Sequence, residues 1–449
     1  MTEGNIGKEI LKFAFPLFLG NLFQQLYNIV DSLVVGNILG KEALAAVSSS
    51  GSLIFLLVGF VQGIFSGAGV VISRYYGAKD KERVESAVHT TVAFGFVMGI
   101  VLTVAGVLLT PVLLRLMGTP ADVINDSVLY FRVYFYGALG IVMYNTTSGI
   151  FQAIGDSRHP LYYLIVSAVT NVVLDILFVK YLSMGIMGAA LATGISQFLS
   201  AILGFVKLLR IQDMARLRIS KIRIKGNVLK EILHMGIPSG IQNSVISIAN
   251  VVVQSSINAF GSLAMAGCGS YSKLEGFAFL PVISFSMALT TFVGQNLGAK
   301  EYERVKKGSR FGILAGVLLA ELIGIILFIF APQLVALFNR DAQVIAYGVQ
   351  QSRTEALFFC LLSLSHCLAG VLRGAGKSRV PMFVMLIYWC VIRIIYIKTV
   401  THFIPKIGVI FWAYPLTWFL SSVTFLYYYY RKDWQHGFGN ESDKSGVPQ

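Results

Sequence analysis

Long apolar segments alternate with short polar ones along the whole chain. Each apolar segment has about 20 residues or more, the length that an α-helix needs to cross a bilayer. The pattern predicts twelve such segments, at residues 10–36, 44–73, 87–113, 123–153, 160–182, 185–209, 230–258, 262–296, 309–331, 343–372, 380–404 and 407–430. The predicted fold class is an all-α polytopic membrane protein with twelve transmembrane helices.

The composition agrees with this prediction. Of the 449 residues, 55% are hydrophobic and 13% are charged, whereas soluble domains carry about 25% charged residues. No soluble domain of useful size is predicted. All four cysteines lie in apolar segments without a Cys-x-x-Cys spacing, so we interpret them as small buried hydrophobic residues. The first segment is too long and too polar for a cleavable signal peptide.

The net charge of +14 could suggest a nucleic-acid partner, so the positions of the basic residues decide the question. With both termini inside, 26 of the 36 Lys and Arg residues lie in cytoplasmic segments, 6 in outer loops and four within spans. This bias follows the positive-inside rule and predicts a multi-pass cell-membrane protein with both termini cytoplasmic. The basic charge then faces anionic lipid head groups, and no nucleic-acid partner is expected.

The chain contains an internal repeat. "YGAKDKERV" at 76–84 recurs as "LGAKEYERV" at 297–305, and "GIFQAIGDSRHP" at 149–160 aligns with "GVLRGAGKSRVP" at 370–381, both at an offset of 221. "KEILKFAFP" at 8–16 aligns with "KEILHMGIP" at 230–238 at an offset of 222. Three matches in nearly one register indicate a duplicated six-helix unit.

Because six is an even number, both copies have the same orientation in the membrane. We expect an amino-terminal half at 1–209, a basic cytoplasmic linker at 210–229, a carboxy-terminal half at 230–430 and a cytoplasmic tail at 431–449. Parallel repeats of this kind build transporters with a site between the halves, so the sequence predicts two parallel six-helix repeats around a central cavity.

Polar side chains interrupt two apolar segments of the amino-terminal half. In the first segment, Asn21, Gln24, Asn28 and Asp31 are spaced by 3, 4 and 3 residues and form one polar stripe. In "VTNVVLDILFV" at 169–179, Asn171 and Asp175 are four apart and share a helix face. Carboxylates inside a bilayer are costly and are usually functional. The alternative is that these polar groups only join helices.

The second copy lacks these acids, since Val253 and Tyr396 stand at the positions of Asp31 and Asp175. The architecture therefore does not require them. Carboxylates, amides and hydroxyls together suit a proton shared between two acids or a partly dehydrated Na⁺, so we predict one coupling site, in the amino-terminal half. In the second copy, Glu275 is either an anchor for a cationic substrate or a partner of Lys273 or Arg393.

The duplicated helices, the early Pro followed by Asp, Asn-x-x-x-Asp in the fifth segment and the "GAK…ER" loops resemble the multidrug and toxic compound extrusion (MATE) family. The resemblance covers about 8–430. It implies a cation site at Asp31, Asn171, Asp175 and Thr193, with Tyr130 and Asn145 as supporting residues and Pro16 as the place where the first helix bends. It also implies possible Na⁺ binding at Asp31, Asn171 and Asp175. A second branch of the family carries an acid in the seventh segment, and "SGIQNSVIS" at 239–247 has none.

The predicted function is secondary antiport, in which cationic or amphiphilic drugs leave in exchange for H⁺ or Na⁺. Candidates for lining the substrate cavity are Gln24, Asn28, Asn243, Asn250 and Glu275. We expect small organic cations as substrates, a monomer in the lipid bilayer, no cofactor and no enzymatic activity.

Three alternatives remain open. A flippase or exporter for lipid-linked saccharides belongs to the same wider superfamily. Another type of duplicated twelve-helix transporter carries a "GxxxDRxGRR"-like loop after its second helix, and "GAKDKERV" does not match that loop. A receptor or a membrane-embedded enzyme is the third alternative, although the sequence shows no metal-ligand cluster, nucleophile motif or phosphate loop.

Overall fold

A computed structural model describes residues 1–116 and 124–436, except for the side chains of residues 37, 41, 42, 44–53, 55, 56 and 116. The described residues form helices joined by short turns, without a β-strand among them. This part of the chain therefore has the all-α architecture that the hydrophobic pattern predicts.

Sixteen α-helices occur within the described residues. They are α1 (Ile6–Leu39), α2 (Lys41–Gly77), α3 (Lys81–Leu116), α4 (Ile124–Tyr136), α5 (Ala138–Ala153), α6 (Arg158–Asp175), α7 (Gly185–Arg210), α8 (Gly226–Asn258), α9 (Ser262–Gly298), α10 (Tyr302–Ile329), α11 (Ala331–Ala336), α12 (Ala342–Glu355), α13 (Phe359–Gly374), α14 (Arg379–Met385), α15 (Arg393–Phe403) and α16 (Gly408–Arg431). Two π-helices, Ile176–Tyr181 and Leu386–Ile392, continue α6 and join α14 to α15.

Each of the twelve predicted segments lies on one helix or on consecutive helices. Among the described residues, nine helical segments are long and apolar enough to cross a membrane, and the bent pair of α4 and α5 makes a tenth. The first helix of each copy, α1 or α8, is not among them. Both helices carry several amide side chains among their apolar residues. These amide groups lower the mean hydropathy of α1 and α8.

The repeat is visible in the backbone. Helices α5 and α13 begin and end at equivalent positions of the two copies, and α7 and α16 end at equivalent positions. The break between α4 and α5 at Gly137, where the chain bends by 46°, corresponds to the break at Ala356–Phe358 in the second copy. The two copies therefore share a broken fourth span.

The repeated sequence motifs mark positions with positive φ. Lys79 and Lys300, the lysines of the two "GAK" loops, have φ angles of 55° and 59°. Gly155 and Gly376, of the second motif, have φ angles of 90° and 77°. Glycine adopts this region without the steric cost of a Cβ atom. The tight turns after α5 and after α13 therefore explain why both copies of the second motif have glycine at this position.

Packing divides the chain into two units. One is Phe15–Gly240, and the other comprises Met1–Ala14 and the chain from Ile241 onward. The boundaries lie inside α1 and α8, close to Pro16 and Pro238, which end the two copies of the "KEIL" motif. Proline removes one backbone hydrogen bond from a helix, so each boundary lies near a point where its helix is weakened.

In the unit Phe15–Gly240, α2 crosses α8 through glycines at i and i+4 on each helix. A Cβ atom on Gly63 would lie 2.4 Å from the backbone nitrogen of Gly240, and one on Gly67 would lie 2.3 Å from that of Gly236. Small residues at this spacing let two membrane helices approach closely. This crossing joins the first turns of α8 to the amino-terminal half.

The chain between α7 and α8 packs on the same unit. Tyr76 donates a hydrogen bond to Asp213 (2.9 Å), and the Lys221 ammonium is 2.8 Å from a carboxylate oxygen of Glu85. Ala215 and Leu217 are buried among the side chains of this unit. The predicted linker is therefore packed against the amino-terminal half over much of its length.

In the other unit, the guanidinium group of Arg304 holds the first residues of the chain. It donates hydrogen bonds to the carbonyl groups of Met1 (3.1 Å), Glu3 (2.8 Å) and Gly4 (2.8 Å). Arg304 belongs to the second copy of the "ER" motif, and it fixes the segment that precedes α1.

Candidate ion site

Two carboxyl groups meet inside the amino-terminal half. Asp31 on α1 and Asp175 at the end of α6 are hydrogen-bonded to each other through their side chains. Asp175 is 0% exposed, and Asp31 is half-buried. An ionised carboxylate has no hydrogen to donate, so this hydrogen bond requires at least one proton on the pair.

One carboxyl oxygen of each acid lacks a donor group as its partner. Oδ1 of Asp31 and Oδ1 of Asp175 are buried, and neither accepts a hydrogen bond from a donor group among the described residues. Buried polar atoms without a partner are rare in native proteins and call for an explanation. A proton, a water molecule or a small cation would satisfy these two oxygens.

Asn171 connects the acid pair to α7. In the amide orientation that satisfies both of its polar atoms, Asn171 donates to Oδ2 of Asp175 (3.1 Å) and accepts from the backbone N–H of Thr193 (3.2 Å). The Thr193 hydroxyl donates to the carbonyl of Ala189 in the same helix (3.2 Å). Asp31, Asn171, Asp175 and Thr193 therefore lie together, and their binding of a cation stays a prediction.

Three tyrosines surround the pair. The Tyr27 hydroxyl on α1 forms a hydrogen bond with Thr193, and Tyr27 also lies close enough to both acids to interact with their charges. On α4, the rings of Tyr130 and Tyr134 stack at a centroid distance of 6.3 Å, and both lie near Asp31. Sequence reasoning missed Tyr27, although it is one helical turn before Asp31 and thus shares its helix face.

The backbone around the site departs from a regular helix. The α-helical hydrogen bonding of α6 ends at Asp175, where the π-helix Ile176–Tyr181 begins. Segments of π-helix occur often at functional sites. Beside Thr193, a Cβ atom on Gly137 would lie 2.7 Å from the Cα atom of Gly194. The bend at Gly137 therefore brings α4 and α5 against α7 where the polar residues gather.

The other predicted residues of the amino-terminal half are more dispersed. Asn145 donates to the carbonyl of Ile141 in its own helix (2.8 Å), so its amide group supports α5. Pro16 lies inside α1, several turns before Asp31 on the same helix. Gln24 and Asn28 are exposed on the surface of their unit. Their roles in substrate binding remain predictions.

The second copy holds a different polar cluster. Glu355 is 0% exposed and accepts a hydrogen bond from Gln351 (3.0 Å), and Tyr271 and Tyr414 lie near its charge. Arg393 donates to Thr417 (2.8 Å), with its guanidinium group 4.4 Å from the ring centroid of Tyr414. The sequence did not predict this cluster.

Glu275 lies on the edge of that cluster. It is half-buried, and its charge interacts with that of Arg393. The Lys273 ammonium instead lies 5.5 Å from the ring centroid of Phe338. Of the two partners considered for Glu275, the structure places Arg393 nearby. Asn250 is exposed, and Asn243 is half-buried on the same helix.

Together, the duplicated helices and the buried polar site define an α-helical membrane transporter. A model of the MatE family matches residues 16–177 and 238–397, so one stretch of each copy is covered, and the chain belongs to this family. The predicted family and fold class are confirmed.

Relatives match most of the chain. It is 30% identical over 446 residues to the "Probable multidrug resistance protein YoeA" of Bacillus subtilis, with 97% of this chain and 95% of the relative covered. It is 29% identical to the "Probable multidrug resistance protein NorM" of Thermotoga maritima (85% and 83% covered) and 24% identical to a "FAD transporter" of Shewanella oneidensis (77% of each covered).

Solved structures show the same fold. "Crystal structure of MATE in the straight conformation" and "Outward-facing conformation of a multidrug resistance MATE family transporter of the MOP superfamily" each match with a TM-score of 0.88 and 22% identity. Each match covers 99% of this chain and 98% of the other. At this identity, the likeness shows the shared fold alone.

Proposed function

We propose that this protein exports cationic or amphiphilic organic compounds in exchange for H⁺ or Na⁺. The observation that carries the proposal is the buried, hydrogen-bonded pair of Asp31 and Asp175, in which Oδ1 of each acid accepts no hydrogen bond from a donor group of the described residues. Relatives named as multidrug resistance proteins support the substrate class.

The acid pair can bind either coupling ion. With both acids ionised, two negative charges lie side by side in a region of low dielectric, where like charges repel strongly. Two protons remove both charges, and one Na⁺ compensates one of them through carboxylate oxygens, the ligands that hard cations prefer. The hydroxyl of Thr193 is a further oxygen ligand beside the pair, while the amide group of Asn171 stabilises the ionised form of Asp175 by donating a hydrogen bond to it.

Transport requires that ion and drug favour different states. In alternating access, the two six-helix halves expose the substrate site first to one side of the membrane and then to the other. An ion that binds one state more tightly shifts the population toward it, and by linkage it lowers the affinity for a drug that prefers the other state. Pro16 is where we expect α1 to change its bend when the occupancy of Asp31 changes.

Transport in proteoliposomes tests the proposal. Purified full-length protein should accumulate or expel a cationic dye such as ethidium when a Na⁺ gradient or a pH gradient is imposed separately. Asp31→Asn and Asp175→Asn should abolish this coupled movement, whereas Asp126→Asn, the same change at an exposed position in the first turn of α4, should leave it intact.

The outcomes separate the alternatives. Movement of flavin nucleotides or lipid-linked saccharides without movement of cationic dyes would contradict the proposed substrate class. Dye movement that is indifferent to both gradients would contradict ion coupling. Absence of any solute movement, with the protein confirmed in the vesicles, would favour a receptor or an enzyme.

A further inference from the structure

A groove of about 250 Å³ lies between α10, α13 and α16. Its wall is aliphatic along most of its length and includes Leu314, Val317 and Leu368, while Arg310 and Tyr429 lie at one end. Leu314 is 59% exposed, so the groove opens on the outer face of its unit. We call it the α10–α16 groove.

In the first copy, the linker packs on the place equivalent to one end of this groove. At the offset of 221, Leu426 and Tyr429 of the groove correspond to Phe205 and Leu208 of the first copy, and these two side chains pack with Ala215 and Leu217 of the linker. Ala215 and Leu217 are 0% and 1% exposed. The backbone N–H of Arg218 also donates to His89 (2.9 Å), the counterpart of Arg310.

The tail after α16 begins like the linker but then takes a different course. Lys432 is extended, as is Ile211 after α7, and Trp434 stacks on Tyr429 at a centroid distance of 5.0 Å. His436, the counterpart of the buried Ala215, is exposed and packs on Tyr302 at 4.9 Å. Over its described residues, the tail therefore covers Tyr429 at one end of the groove and leaves Arg310 and Leu314 exposed.

Basic and hydroxyl groups gather at that end. Arg310 is exposed there, and Lys306 lies one turn before it on α10. The Tyr429 side chain is 8% exposed, and its hydroxyl lies beside Oγ of Ser309, with no further hydrogen-bond partner for either among the described residues. Both hydroxyl oxygens are closed off from the surroundings, so Arg310 is the polar group that a ligand in the groove can reach.

We propose that the α10–α16 groove binds one anionic phospholipid, with an acyl chain along the aliphatic wall and the phosphate at Arg310. The positive-inside bias predicts that this end faces the cytoplasmic leaflet, which carries the anionic lipids. An apolar groove open to a bilayer takes up acyl chains, and the basic end selects among head groups.

Native mass spectrometry of the full-length protein tests this assignment. Phosphatidylglycerol and phosphatidylcholine with identical acyl chains are added separately to the purified protein, and retention of one lipid per chain is measured. Wild type should retain phosphatidylglycerol more strongly. Arg310→Gln should weaken that retention by about fivefold, the effect expected of one basic residue at a membrane surface, while Arg158→Gln, at another exposed basic position, should not.

A groove-filling variant tests the place of the acyl chain. Leu314→Trp adds bulk from the exposed side and should lower retention of phosphatidylglycerol, whereas Leu108→Trp, at an equally exposed position of α3 (69%), should not. Equal retention of the two lipids by wild type, or an unchanged Arg310→Gln, would overturn the proposal. So would stronger retention after truncation at His436, because the tail beyond it would then be the occupant.

Discussion

The carboxyl groups of Asp31 and Asp175 are hydrogen-bonded although the two residues are far apart in the chain and lie on different helices. Such a hydrogen bond needs a proton on one of the two acids, so a change in the occupancy of the pair changes the charge at the junction of α1 and α6. Helix α1 also contains Pro16. A binding event at Asp31 therefore acts on a helix that proline has already weakened.

Substitution of the acids should show that coupling resides in the amino-terminal half. Asp31→Asn and Asp175→Asn should each lower ion-driven dye movement by at least about tenfold, because each leaves a buried site without one of its two charges. Glu275→Gln should change the range of compounds moved and keep the ion dependence. The measurement is transport in proteoliposomes with each gradient imposed alone.

Equal protein incorporation and unchanged thermal stability of the variants are the controls for this comparison. If Glu275→Gln removed ion dependence as completely as Asp31→Asn, a single coupling site in the first copy would be the wrong description. The cluster of Glu355 and Arg393 would then be the next place to test.

Tyr27 should contribute to ion affinity by positioning Thr193. Tyr27→Phe removes the hydroxyl that is bonded to Thr193 and should raise the half-saturating ion concentration roughly two- to tenfold, the effect of one hydrogen bond. The maximal rate of dye movement should change less. Tyr136→Phe, at an exposed position of α4 (61%), is the matched control, and equal effects of the two variants would contradict the positioning role.

Much of the fold could be predicted because membrane spans are local features. The lengths of the apolar segments, the repeat and the spacing of Asn171 and Asp175 are all properties of neighbouring residues, and the structure agrees with them. The π-helix after Asp175 and the bend at Gly137 depend on packing against α7. Periodicity does not report such contacts, so the sequence did not reveal them.

The site was predicted in part for the same reason. Asp31, Asn171 and Asp175 were recognisable because charged and amide groups are rare in apolar segments. Tyr27, Tyr271 and Tyr414 were not recognisable, because tyrosine is common in membrane proteins. The role of a tyrosine hydroxyl depends on the group that it contacts, and the sequence does not show that group. Glu321 on α10 accepts a hydrogen bond from the backbone N–H of Cys360 at the start of α13 (2.9 Å), a contact between helices that the sequence does not show.

The glycine crossing of α2 and α8 should be sensitive to a single methyl group. Gly67→Ala would place Cβ 2.3 Å from the backbone of Gly236, so the helices must separate, at a cost of about 1–3 kcal/mol typical of overpacking. Gly269→Ala is the control, because a Cβ there meets nothing within 4 Å and alanine is the better helix former. Thermal unfolding in detergent should show a lower midpoint for Gly67→Ala and an equal or higher one for Gly269→Ala; equal losses would contradict the close crossing.

Na⁺ and protons should compete for the acid pair. A proton neutralises a carboxylate that Na⁺ requires in its ionised form, so Na⁺ should act most strongly at high pH and lose its effect as the pair becomes protonated. A conformational signal from tryptophan fluorescence or spin labels, followed from about pH 5 to 9 with and without Na⁺, should therefore show a transition that Na⁺ shifts to lower pH. In Asp175→Asn the repulsion between the two acids is gone, and the Na⁺-dependent shift should disappear; Asp126→Asn should retain it. The values measured would belong to the pair, because coupled acids titrate together. A signal that is flat in pH and indifferent to Na⁺ would mean that the hydrogen bond between Asp31 and Asp175 serves only to join α1 to α6.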